Sequence, residues 1–273
     1  MFRSIWPYIG AGIILLFTTG ALLAPWLSPY DPYEIRLSEQ LAPPSASHPL
    51  GQDANGSDIL SRLLYGARIS LVVGLSVVGL TAVVGIFLGL VSGYYGGWID
   101  TLLMRLVDIL LAFPGLLLAI ALVAVLGPSM RNVVIALAVL GWVSFARLVR
   151  GQVLSVRERE FVLAARTSGQ SDLRIMLVHI LPNVLSPVIV QATFGIAGVI
   201  ISESSLSFLG LGAPPGTPSW GAMLSQGKQV LVDAPHVSVF PGLAIMLVVL
   251  AFNFLGDGLR DRLGPRGGPG RRT

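Results

Sequence analysis

Between two long apolar runs stands Glu160-Phe161-Val162-Leu163-Ala164-Ala165-Arg166-Thr167-Ser168-Gly169, followed shortly by His179-Ile180-Leu181-Pro182-Asn183. Residues 155–168 are expected to form a helix, because Phe161, Leu163, Ala164 and Ala165 are interleaved with Arg157, Glu158, Arg159, Glu160 and Arg166. Alanine at 164 and 165 keeps one face shallow, so another protein's backbone can come close. Gly169 is placed to take the left-handed turn that ends a helix. A second helix is expected from 172 to 180, with Pro182 punctuating entry into the next apolar run. The spacing predicts a helical hairpin lying parallel to the membrane and shaped for docking. The alternative is a solvated connection between two spans, but such connections are typically shorter.

Composition supports a membrane setting. The chain has 273 residues, 53% of them apolar and 12% charged, with a mean hydropathy of +0.78, whereas a soluble domain carries about 25% charged residues. Cysteine is absent, which excludes disulfides and thiolate chemistry. The pI of 9.8 would suit nucleic acid only if the basic residues shared a solvated face. They fall instead in short loops beside apolar runs, so no nucleic-acid partner is expected.

A spanning helix needs about 20 mostly apolar residues. Six candidate spans follow, at 5–27, 69–93, 99–127, 132–149, 184–212 and 240–256. The first has a short apolar centre, as a secretory signal does, but one preceding arginine and no clean small-x-small site make a retained anchor the expectation. With the N-terminus inside, 13 of the 18 Lys and Arg residues fall on the cytoplasmic side. The bias of positive residues places the 150–182 insert and both termini in the cytoplasm. Residues 28–68 and 213–239 are then outer loops, the second expected to hold a short amphipathic helix.

The insert resembles the loop by which permease subunits of ATP-binding-cassette importers grip their ATPases, whose motif reads E-A-A-x3-G and later I-x-L-P. Ala164, Ala165, Gly169, Leu181 and Pro182 stand at that spacing. Leu163 replaces the motif's Glu and His179 its Ile, while Glu160 lies one helical turn earlier and is placed to supply the charge. Further matches run from about residue 28 to 266. They include His48-Pro49-Leu50-Gly51-Gln52-Asp53, Asp108-Ile109-Leu110-Leu111-Ala112-Phe113-Pro114, Ser205-Leu206-Ser207-Phe208-Leu209-Gly210-Leu211-Gly212 and Asn253-Phe254-Leu255-Gly256-Asp257. Together they are similar to the second permease of the dipeptide/oligopeptide/nickel branch.

That resemblance implies an all-α membrane protein with six transmembrane helices and the type I importer permease fold. It divides the chain into an anchor (1–27), an outer loop (28–68), a permease core (69–260) holding the coupling loop 150–182, and a cytoplasmic tail (261–273). Glu160, Leu163, Ala164, Ala165, Gly169, Leu181 and Pro182 become the ATPase-coupling residues. The implied partners are a sister permease, two ATPase subunits, an external solute-binding protein and the bilayer. The implied chain holds no cofactor and is not catalytic, with ATP and Mg bound by the ATPases. Localisation is the bacterial or archaeal cytoplasmic (inner) membrane. Dipeptides or oligopeptides are the expected solutes, with nickel or glutathione as alternatives within the family. A secondary transporter is a distant alternative that would need mid-membrane ionisable groups and broken helices.

Other features receive plainer readings. Glu203, beside Ser204 in the fifth candidate span, either lines the outer mouth of the path or caps and pairs locally. Gly85, Gly89 and Gly93 form a close-packing stripe, internal or against a partner. Asp108 is expected to pair with Arg105, one turn away. Asp53-x-Asn55-Gly56-x-Asp58 lacks the glycine register of an EF-hand and reads as an Asx-stabilised turn. Gly221 to Gly227-Lys228 misses the phosphate-loop spacing. The three histidines, His48, His179 and His236, are too scattered for a metal cluster, so neither a metal nor a catalytic residue is expected.

Overall fold

The computed structural model describes residues 5–263, and the tail from 264 on lies outside them. The order is α1 (Trp6–Leu22), α2 (Ala24–Leu27), α3 (Ile59–Tyr95), α4 (Gly97–Leu111), α5 (Gly115–Leu126), α6 (Met130–Val156), α7 (Glu160–Thr167), α8 (Asp172–Arg174), α9 (Leu181–Phe208), α10 (Trp220–Gly227) and α11 (His236–Leu263). Among the described residues the only β contact is an isolated bridge between Gln52 and Asp58. The class is all-α.

Six spans were expected, and the described helices differ from that count. Four are long and apolar enough to cross a membrane: α3, α6, the 37-residue helix Asp172–Phe208, and α11. The run 99–127, read as one span, is two helices bent by 85°. Pro114 explains the break, since a proline steers the residue before it out of helical conformation, and Pro114 itself is extended at ψ 117°. Helix α1 has 17 residues, shorter than the other spans.

The core is a seam between α3 and α6. A Cβ on Gly85 would meet Phe145, one on Gly89 would lie 2.7 Å from the Ala146 carbonyl, and one on Gly93 would lie 2.7 Å from Val153 Cβ. The glycine stripe therefore closes an internal contact. Asp108 does not pair with Arg105. Its carboxylate accepts from Arg147 on α6 at 2.7 Å, which ties α4 to α6, as does Arg150 reaching Asp100 through two hydrogen bonds.

Helix α3 begins ten residues before the expected 69, because the polar residues of its first turns are not solvated. Asp58 caps it, accepting from the Ser61 amide at 2.8 Å. Arg62 is 1% exposed beside Asp53, also 1% exposed, in an ion pair of 3.0 Å. The other Asp53 oxygen accepts from the amides of Asn55 and Ser57, the Asx turn expected there, and Gly56 takes φ 71°. The segment 36–42 folds onto this polar knot, with the Arg36 amide donating to the Asn55 carbonyl and that of Leu41 to the Asp53 carbonyl. Buried Trp220 of α10 docks on α3, donating to the Leu63 carbonyl at 3.1 Å. Helix α11 packs along α1, where Trp6 lies 5.1 Å from Phe254 and Arg262 donates to the Tyr8 hydroxyl at 2.8 Å.

Candidate functional site

The insert is a hairpin, built differently from the expectation. Helix α6 continues to Val156, a short turn follows, and α7 occupies only Glu160–Thr167. Glu160 stands in the first turn of α7, where a negative charge suits the helix dipole. Gly169, at φ 74°, ends the helix. Its amide donates to the Arg166 carbonyl and that of Gln170 to the Ala165 carbonyl, the paired bonds of a Schellman turn.

The second arm does not stop at Pro182. Asp172–Arg174 passes through a π-helical turn, Ile175–Ile180, straight into α9. Pro182 falls within the first two positions of α9. A change from π to α register there leaves a backbone donor without its usual partner, so the missing proline N–H costs little. Leu181 is half-buried against the core.

Three contacts brace the hairpin against the end of α3. The Tyr94 hydroxyl donates to Asp172 at 2.6 Å, the Arg166 guanidinium lies 5.4 Å from the centre of the Tyr94 ring, and Arg157 donates to the Gly93 carbonyl at 2.9 Å. His179 and Gln170 bond across the two arms at 2.9 Å. With this bracing, the hairpin separates two faces. Val162, Ala165, Ile175, Met176 and Ile180 are buried on the bundle side. Phe161 is 40% and Leu163 42% exposed on α7, and Leu173, Leu177 and Val178 are exposed on the second arm. Leu163 and Glu160, one turn apart, are both exposed, as is Ala164. Expecting Ala164 and Ala165 to form one shallow face is thus half met: Ala165 faces inward.

Two cavities lie along α6 and α9. One, of about 320 Å³, is lined by residues including Val78, Thr81, Ser144, Gln191 and Ser202. The other, of about 490 Å³ and nearer the hairpin, is lined by residues including Gln152, Ser186, Gln191, Phe194 and Arg260. Gln191 borders both. Sequence reasoning missed these residues; a lone amide in an apolar run was the available signal. Glu203 borders neither cavity. It is fully buried, accepts from the Ser207 hydroxyl at 2.7 Å and lies 3.5 Å from that of Ser204. The geometry is that of local pairing. Ser204 itself borders a separate apolar groove with Phe208 and Leu224.

Residues 85–267 match the family model described as binding-protein-dependent transport system inner membrane component, and residues 3–44 match the N-terminal TM domain of oligopeptide transport permease C. The chain belongs to the first family. This permease is 50% identical over 258 residues to the dipeptide transport system permease protein DppC of Alkalihalophilus pseudofirmus, covering 94% of the chain and 85% of that relative. It is 52% identical over 254 residues to the glutathione transport system permease protein GsiD of Escherichia coli O6:K15:H31, covering 93% and 84%. Its fold overlaps a chain of the inward-facing MetNI methionine ABC transporter with a TM-score of 0.59 at 18% identity, over 74% of this permease and 95% of that chain. The family resemblance read from the 150–182 insert therefore holds, and the permease is the membrane component of an ABC importer.

Proposed function

We propose that this permease forms half of the translocation path of a peptide importer, paired with a sister permease, two ATPase subunits that bind ATP and Mg, and an external solute-binding protein. The observation that carries this reading is the hairpin, which exposes apolar Phe161, Leu163, Leu177 and Val178 beside charged Glu160 and Arg174 and is braced to α3 within. Closure of the ATPases draws on that outer face, with Glu160, Leu163 and Ala164 in the contact and Gly169, Leu181 and Pro182 setting its shape. The helices tilt, the cavities along α6 and α9 open outward, and hydrolysis on the partner chains reverses the motion. No ATP is hydrolysed on this chain.

The proposed topology has six spans, counting α1 and the bent pair α4–α5 as one each, with both termini cytoplasmic. The arginine bias supports it, and the hairpin then lies inside. A secondary carrier is disfavoured because, among the described residues, the two cavities hold a single charged side chain, Arg260.

The names of the relatives support either dipeptides or glutathione as the solute, and one experiment separates them. The assembled complex is reconstituted with its binding protein, and ATPase activity is followed with dipeptides, longer peptides, glutathione or chelated nickel. Stimulation by one class identifies the cargo. An assembled complex that none of them stimulates would overturn the peptide reading.

A further inference from the structure

The larger cavity has a composition that coupling does not require. Its walls are apolar, from Leu148, Pro187, Val190, Phe194 and Leu263, and four polar side chains converge on it: Gln152, Ser186, Gln191 and Arg260. Several polar side chains of the spans bond back to their own helix, as Thr193 does to Ile189, Ser202 to Gly198 and Asn253 to Val249. The four facing this cavity make no such side-chain bond among the described residues, and Arg260 has no carboxylate partner there. Among the described residues, the ion pairs between separate helices are Arg147–Asp108 and Arg150–Asp100. The volume of about 490 Å³ lies within the range of about 300–1,000 Å³ typical of small-ligand sites.

We infer that this cavity is a solute site at the hairpin end of the path, binding a peptide with its terminal carboxylate on Arg260 and its amide groups on Gln152, Ser186 and Gln191. Apolar walls with a few converging polar groups suit a short chain whose side chains vary and whose backbone does not. A guanidinium presents a fork of donors that matches a carboxylate. Gln191, bordering both cavities, passes the backbone amide from the outer chamber to the inner one. This site rests on the importer reading above, which it extends by assigning where the solute pauses before release.

The test uses the purified assembly without nucleotide or binding protein, and measures equilibrium binding of radiolabelled Ala-Ala and of its C-terminal amide. Saturable binding of Ala-Ala is expected, with the amide at least tenfold weaker. Arg260→Gln is expected to weaken the acid at least tenfold and to remove the preference for acid over amide, while Arg260→Lys retains part of it. Absence of saturable binding, or equal binding of acid and amide by the unaltered protein, overturns the site; neither result depends on a variant folding. ATPase stimulation by loaded binding protein in the same preparation reports on the importer reading separately. Stimulation without dipeptide binding overturns this site alone, whereas absence of stimulation overturns the peptide-importer reading on which the site rests.

Discussion

Arg62 is held where a charge is expensive. It is almost wholly buried, its Nη1 lies 3.0 Å from Asp53, and its Nε and Nη2 face no partner among the described residues. Removing one member of a buried pair leaves the other charge uncompensated, at a cost of about 3–5 kcal/mol. Asp53→Asn, which removes the charge and keeps an oxygen to accept from the Asn55 and Ser57 amides, is therefore expected to lower stability by about that amount, read as thermal unfolding of the detergent-solubilised protein. Adding Arg62→Met should restore most of the loss; a double variant no better than the single would sink the charge argument. A second residue-scale test concerns the glycine seam. Gly89→Leu must push against the Ala146 backbone, and overpacking of this kind costs about 1–3 kcal/mol. Gly79, on the same helix, has open space at its Cβ, so Gly79→Leu should change stability by less than about 0.5 kcal/mol.

Two contacts test the hairpin as an element. Open space surrounds Gly169, and its constraint is the positive φ alone. Gly169→Asn should then be nearly neutral, while Gly169→Val, whose β-branch disfavours that conformation, should lose about 1–2 kcal/mol locally and weaken capture of the ATPases in a pull-down. Equal behaviour of the two variants would mean that the turn does not shape the docking face. Tyr94→Phe removes the bond to Asp172 and keeps the ring under Arg166. Net loss should be about 1 kcal/mol, seen as less solute moved per ATP in an assembly that still forms. Much of this element was legible beforehand. A glycine after a charged amphipathic segment marks its stop, and the Schellman turn sits at that glycine. The boundary before it was not legible, because Arg157 through Arg159 read as helical surface although the chain turns there. Proline was an uneven guide. Pro114 marks a break of 85°, yet Pro187 and Pro241 lie inside helices and Pro182 sits within a continuous one. What decides among them is whether neighbouring backbone groups can absorb the missing donor, a tertiary property that a linear reading does not contain. The early start of α3 was hidden for a similar reason: Ser61 and Arg62 look solvated until the loop that buries them is folded.

At the scale of the whole molecule, the cysteine-free sequence makes topology directly measurable. Single cysteines at Val232, which is 93% exposed, and at Ser168 on the hairpin should fall on opposite sides of the membrane. In intact cells, a membrane-impermeant maleimide should label the first and spare the second. Labelling of both, or of Ser168 alone, would invert or break the proposed arrangement. The solute path belongs to this scale as well, and it explains why the sequence is quiet about cargo. Gln191, Gln152 and Arg260 come from three separate helices, share no local spacing, and meet only when α6, α9 and α11 pack.

The absence of a break between the π turn and α9 has a mechanical consequence. The second arm of the hairpin and the helix that borders both cavities are one shaft of 37 residues, about 55 Å long at helical rise. A tilt of about 10° around its middle would carry each end through roughly 5 Å, in opposite directions. The shaft thus behaves as a seesaw: a nudge at Asp172 arrives at Ser202 with its sign reversed, and no separate messenger is needed between them.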